Sequence, residues 1–102
     1  MFQVDAHPDV YQELEYSRKW YEDRAVGLGN VFLNEVNLAV DTIRKMTLVW
    51  AFYDRRYSVR RYIVHRFPYG LIYTVQGDLI KIYAVMHLKR HPDYWRTRLR
   101  NW

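Results

Sequence analysis

The hydrophobic period of this chain changes once, and the change limits the folds open to it. Between Val10 and Met46 the apolar residues recur at steps of three and four; from Val59 to His87 they alternate at steps of two. The first spacing is the repeat of a helix with one buried stripe, the second that of a strand between two unlike faces. A chain that runs helices first and strands after is α+β, with its helices gathered on one side of a sheet.

The local signals place the elements. Phe2-Gln3-Val4 alternates and predicts a short strand over 2–5. In Asp5-Ala6-His7-Pro8, Asp5 or His7 can cap a helix, and Pro fits the first helical position because its missing N–H has no partner there anyway. Val10, Leu14, Ser17 and Tyr21 form the core stripe of a first helix over 8–25, with Glu13, Tyr16, Trp20 and Asp23 on another face. Gly27-Leu28-Gly29 breaks it, and Leu28, Phe32, Val36, Ala39, Ile43 and Met46 carry a second helix over 28–46. The short link predicts an antiparallel helical hairpin. The sheet is expected over 55–88 as three antiparallel runs, broken at Pro68-Tyr69-Gly70 and at Gln76-Gly77-Asp78, a hairpin signal. In the last run Ile80, Ile82, Ala84 and Met86 read as the face under the helices, and Lys81, Tyr83, Val85 and His87 as a wet face. In the run before Pro68 either alternate set can face inward. His91-Pro92-Asp93 ends the sheet, and 92–102 reads as a basic tail with one or two helical turns. The predicted order is β-α-α-β-β-β in one domain, 1–102, of two layers.

The 102 residues contain no Cys, which excludes a disulfide scaffold and a thiolate metal site, and four His without ligand spacing give no zinc motif. No metal or cofactor is expected. No apolar run reaches a membrane span, and Met-Phe-Gln-Val-Asp lacks the features of a signal peptide, so a cytoplasmic protein without membrane contact is expected. The net charge of +5 is unevenly placed: residues 1–50 hold 5 basic and 8 acidic side chains, and residues 51–102 hold 11 and 3. A strongly basic half points to a polyanionic partner.

A set of motifs runs in order along the chain: Trp20-Tyr21-Glu22, Gly27-Leu28-Gly29 and Phe32-Leu33-Asn34-Glu35-Val36 in the first half. In the second half they are Arg60-Arg61-Tyr62, Arg66-Phe67-Pro68-Tyr69, Ile72-Tyr73, Ile82 to Val85, and His87 through Trp95. In this order they resemble the RelE/ParE superfamily of toxins from type II toxin–antitoxin systems, especially its plasmid stabilisation branch. The resemblance implies a small, mostly antiparallel sheet under a helical hairpin, a cytoplasmic location and a cognate antitoxin that wraps the toxin. It implies one of two toxic activities. RelE-like members cut messenger RNA, often on the ribosome; ParE-like members inhibit DNA gyrase. A homodimer is a further partner to consider.

Cleavage of RNA through its 2′-OH needs a base, an acid and cations on the phosphate. His87, Arg90, Tyr94 and Arg66 are the candidates, and Arg60, Arg61, Lys89, Arg96 and Arg98 are candidates for binding nucleic acid or another target. Tyr16 and Trp20 are candidates for an antitoxin or dimer contact. Each also has a plainer reading: a strand-end histidine bonded to backbone, solvated arginines, partly packed aromatics. The chain departs from the ribonuclease pattern at one place. Where RelE-like members have Arg-apolar-apolar-Tyr, it has Gly70-Leu71-Ile72-Tyr73, and Arg66 is the proposed substitute cation. The His87-x-x-Arg90 spacing looks more like the ParE side. A third expectation is an inactive module that binds nucleic acid.

Overall fold

The computed structural model describes all residues except Met1, Thr47, Val49 and Pro92, and of Asp93 only the backbone. The elements are β1 (Gln3–Ala6), α1 (Pro8–Glu22), α2 (Leu28–Lys45), β2 (Phe52–Asp54), a 3₁₀ turn (Arg55–Tyr57), β3 (Val59–Ile63), β4 (Tyr69–Gln76), β5 (Leu79–His87) and α3 (Asp93–Asn101). The sheet order is β1-β5-β4-β3-β2, with β1 parallel to β5 and the other pairs antiparallel. The architecture is α+β in the expected order, with a short strand added before the predicted meander and a helix after it. Pro92, in the His91-Pro92-Asp93 segment predicted to end the sheet, lies outside the described residues.

Helix α1 begins as its sequence directs. His7 caps it, its Nδ1 accepting the Asp9 N–H at 3.1 Å, and Pro8 opens the first turn. It ends at Glu22 rather than at 25. The Glu22 carboxylate then accepts the N–H groups of Gly27 (2.9 Å) and Gly29 (3.0 Å), so a residue at the end of one helix caps the start of the next. Gly27 itself sits at φ 87°, where only glycine is at ease. Phe32, Val36, Ala39 and Ile43 of α2 and Val10 of α1 are buried against the sheet. Met46, at the end of the predicted stripe, is exposed.

The predicted division of the last strand fails halfway along, and a bulge is the reason. Ile72 pairs with Ala84 and Tyr73 with Ile82, so Tyr83 is an extra residue in β5. One extra residue inverts the alternation beyond it. Ile80 and Ile82 join the core under the hairpin, as expected, but past the bulge it is Val85 that stays there. Ala84 and Met86 turn to the opposite face. That face is not wet: Trp95 of α3, fully buried, packs on it with Val59, Ile72, Ala84 and Met86. The tail is therefore a helix of nine residues and a partial third layer. In β3 and the residue after it the inward set is Tyr62 and Val64, while Val59 belongs to the α3 side. Among the described residues no helix is long and apolar enough to cross a membrane.

Candidate functional site

The bulge decides where His87 lies. Its Cα pairs with Tyr69, and its ring meets the Tyr69 ring edge-on at 5.3 Å, on the hairpin side of the sheet. There a groove of about 730 Å³ runs between α1, the end of β5 and the start of α3. Tyr16, 73% exposed, and Trp20, 41% exposed, form its rim on α1. Arg24 covers the Trp20 ring at 3.3 Å and bonds its carbonyl at 2.8 Å, which fixes that side of the rim. Arg90 stands over the Tyr94 ring at 4.4 Å at the far end.

Glu13 organises the interior. Its carboxylate, nearly buried, accepts the Tyr94 hydroxyl, the Arg98 guanidinium at 2.8 Å and the Val85 N–H at 3.1 Å. Arg98 also donates to the Tyr83 carbonyl at 2.8 Å and lies 3.8 Å from Asp9. A buried guanidinium with three such partners is a structural clamp between α3, α1 and β5, and its charge is spent inside the fold. Burial first, and then the bond to Glu13, push the Tyr94 hydroxyl above its ordinary pKa, with Arg98 opposing. A phenol so held is a poor proton donor at neutral pH. The Nδ1 of His87 accepts the Lys89 N–H at 3.1 Å, which leaves Nε2 as the ring atom open to a ligand.

The structure brings together His87, Arg90, Tyr94, Tyr16 and Trp20, which all line the groove. It does not bring Arg66 there. Arg66 sits in the turn before β4 at φ 72°, with its guanidinium 4.0 Å from Glu35 of α2, so it does not take the place of the missing arginine. That place is Gly70, and it faces the other way: a Cβ on Gly70 would lie 3.1 Å from both Cγ and Cδ of Arg61. The Arg61 stem fills the space, and its guanidinium rests 4.5 Å above Tyr53 on the α3 side of the sheet. Arg60 turns to the hairpin side, where it donates to the Trp50 and Leu48 carbonyls and covers Phe52 at 4.0 Å. Arg96 pairs with Asp54 at 3.4 Å, and Lys89 is exposed in the turn after β5. The candidates for target binding therefore do not form one face. Arg98 in particular is buried rather than presented.

Glu13 is the residue that sequence reasoning passed over. It stands three residues before Tyr16 and seven before Trp20, on the face already marked as aromatic, so the spacing held the signal. Tyr94, Trp95, Arg98, Leu99 and Trp102 likewise recur at helical steps, but the charges between them made the segment look solvated.

No protein-family model and no curated protein matches this chain. Among solved structures, a chain described as "Chromosomal ParDE TA system from P. aeruginosa" superposes with a TM-score of 0.62 at 16% identity, over 85% of this chain and 96% of that one. The fold is RelE/ParE-like. In this chain the groove lies between α1, the end of β5 and the start of α3. The hairpin-side position of His87 and the α3-side position of Gly70 are then two sides of one sheet.

Proposed function

We propose that this chain is the toxin of a type II toxin–antitoxin system, kept inactive by a cognate antitoxin in the cytoplasm, and that it acts by binding its target, DNA gyrase, rather than by cutting messenger RNA. The fold match supports the toxin reading. The observation that carries the choice of mechanism is the state of the groove's polar groups. Tyr94 and Arg98 are both bound to Glu13, and the position at which a ribonuclease would hold its phosphate-binding arginine lies across the sheet from His87. His87 and Arg90 share the groove, but Tyr94, the candidate acid, is held by Glu13, and the Gly70 position supplies no cation beside them. What the groove does offer is exposed Tyr16 and Trp20 with Arg90 nearby, residue types enriched at protein-docking surfaces.

Inducing the chain in bacteria, alone and together with the candidate antitoxin, is expected to stop growth only in the first case. Purified chain is then expected to inhibit gyrase supercoiling and to leave messenger intact in a translation reaction, with His87→Ala behaving like wild type in the messenger assay. Messenger cleavage that disappears in His87→Ala would overturn the binding mechanism. Unimpaired growth with unimpaired supercoiling would overturn the toxin reading itself.

A further inference from the structure

A second concave site lies at the opposite edge of the sheet and shares no lining residue with the groove. The β2–β3 ladder pairs Phe52 with Arg60 and Asp54 with Val59 and goes no further. Beyond Phe52 the two chains diverge and leave a cleft of about 500 Å³ walled by Trp50, Phe52, Tyr53, Arg61, Tyr62 and Ile63. The cleft is braced. Arg60 ties the Trp50 carbonyl to β3, and the Trp50 and Tyr62 rings meet edge-on at 4.7 Å.

The charge around the cleft is one-sided. Arg56 and Arg96 each reach Asp54 at 3.4 Å, while Arg55 and Arg60 lie over Phe52 and Arg61 over Tyr53. Burial alone would raise the Asp54 carboxyl, but hydrogen bonds from Arg56 and the Arg56 and Arg96 charges outweigh it and hold the group low, so it stays charged and occupied. The guanidinium groups on these elements outnumber that carboxylate, and a bound polyanion would offset the excess.

Each guanidinium also lies over a ring: Arg55 over Phe52 at 5.2 Å, Arg56 over Tyr57 at 5.4 Å, Arg61 over Tyr53 at 4.5 Å. A guanidinium attracted to a ring face still has N–H donors to offer a phosphate. Arg55, Arg56 and Tyr57 are exposed. We propose that this cleft and the Arg55–Tyr57 corner beside it are a binding site for single-stranded nucleic acid, with unstacked bases entering the aromatic cleft and phosphates lying on Arg55, Arg56 and Arg61. Flat aromatic walls favour bases over the side chains of an acidic peptide. A duplex hides its base faces and has nothing to place in the cleft. The site does not depend on the toxin reading: a chain that binds oligonucleotides and leaves growth untouched keeps this site and loses the other function.

Fluorescence anisotropy of the full chain tests it, using labelled 12-nucleotide oligouridylate and oligothymidylate, a 12-base-pair duplex and a polyglutamate peptide, each at several salt concentrations. The single strands are expected to bind more tightly than the duplex or the peptide. The log–log salt slope is expected to be near −2, about −0.7 for each of three phosphates. Arg55→Ser with Arg56→Ser should weaken binding roughly tenfold and flatten the slope by about 1.4, the share of two phosphates. Removing two exposed charges elsewhere, Lys19→Ser with Arg100→Ser, should change little. Ile63→Glu, which puts a carboxylate at the half-exposed rim, should weaken single-strand binding while the melting temperature stays that of wild type. Equal binding of duplex or polyglutamate, or equal losses in the two double variants, would overturn the site and leave only general charge attraction or an acidic protein partner.

Discussion

Glu22 does its work as a carboxylate, and that makes it sensitive to pH. Bonds from the Gly27 N–H and then the Gly29 N–H hold its pKa below the ordinary value, against a smaller rise from burial. A carboxyl whose folded pKa is lowered stabilises the fold fully above the unfolded value, about 4.3, and loses that contribution as pH falls through the folded value. Glu22→Gln should therefore melt below wild type at neutral pH, and the two melting curves should converge in strong acid. Thermal scans from neutral to strongly acid pH measure this. A gap that persists unchanged into acid would mean that Glu22 acts by packing and not by charge. Glu22 was visible in the sequence as part of a family-like turn, but its bonds were not. They depend on where the break at Gly27 points, and that is a matter of backbone angle.

At the scale of elements, the crossing of α1 and α2 is set by Gly29. A Cβ there would lie 2.7 Å from the Arg18 carbonyl oxygen and 3.0 Å from Glu22 Oε1. Gly29→Ala gains up to about 1 kcal/mol of helix propensity. Forcing the helices apart costs about 1–3 kcal/mol. Urea unfolding should show a net loss; a gain would mean that the crossing is loose. The two long helices were legible because their stripes repeat over many residues, so one misplaced position such as Met46 does not hide the period. The strand faces were not legible. A period of two carries no memory of where an extra residue enters, and Ile80, Ile82, Ala84 and Met86 look like one face until pairing shows that Tyr83 has no partner. Hence His87 was assigned to the wrong side of the sheet, although its place at the end of the last strand was right.

For the molecule as a whole, the sheet is covered on both faces, and the apolar anchor of the smaller cover is Trp95. Trp95→Ala would remove the fully buried ring that fastens α3 over Val59, Ile72, Ala84 and Met86, at a cost of about 3–5 kcal/mol. Because Tyr94 and Arg98 ride on the same helix, the variant should also loosen the groove. Hydrogen exchange at the Val85 N–H, which Glu13 accepts, is expected to rise more than exchange in α2. Equal protection in wild type and variant would separate the groove from α3. The charge of the basic half has likewise been divided by the fold. Arg98 is spent on Glu13 and Arg60 on backbone carbonyls, while Arg55 and Arg56 stay exposed beside β2 and Lys89 and Arg90 after β5.

The bond from Tyr94 to Glu13 joins residues 81 positions apart. Contacts of that separation form late, after the intervening chain has been made and closed on itself. The hairpin can pack early in synthesis, but one wall of the groove does not exist until α3 has been translated and docked. Until then Glu13 faces solvent without its tyrosine or its arginine. The groove is therefore completed only after the hairpin and the sheet, so every round of synthesis has an interval in which the hairpin is folded and the groove still lacks its α3 wall.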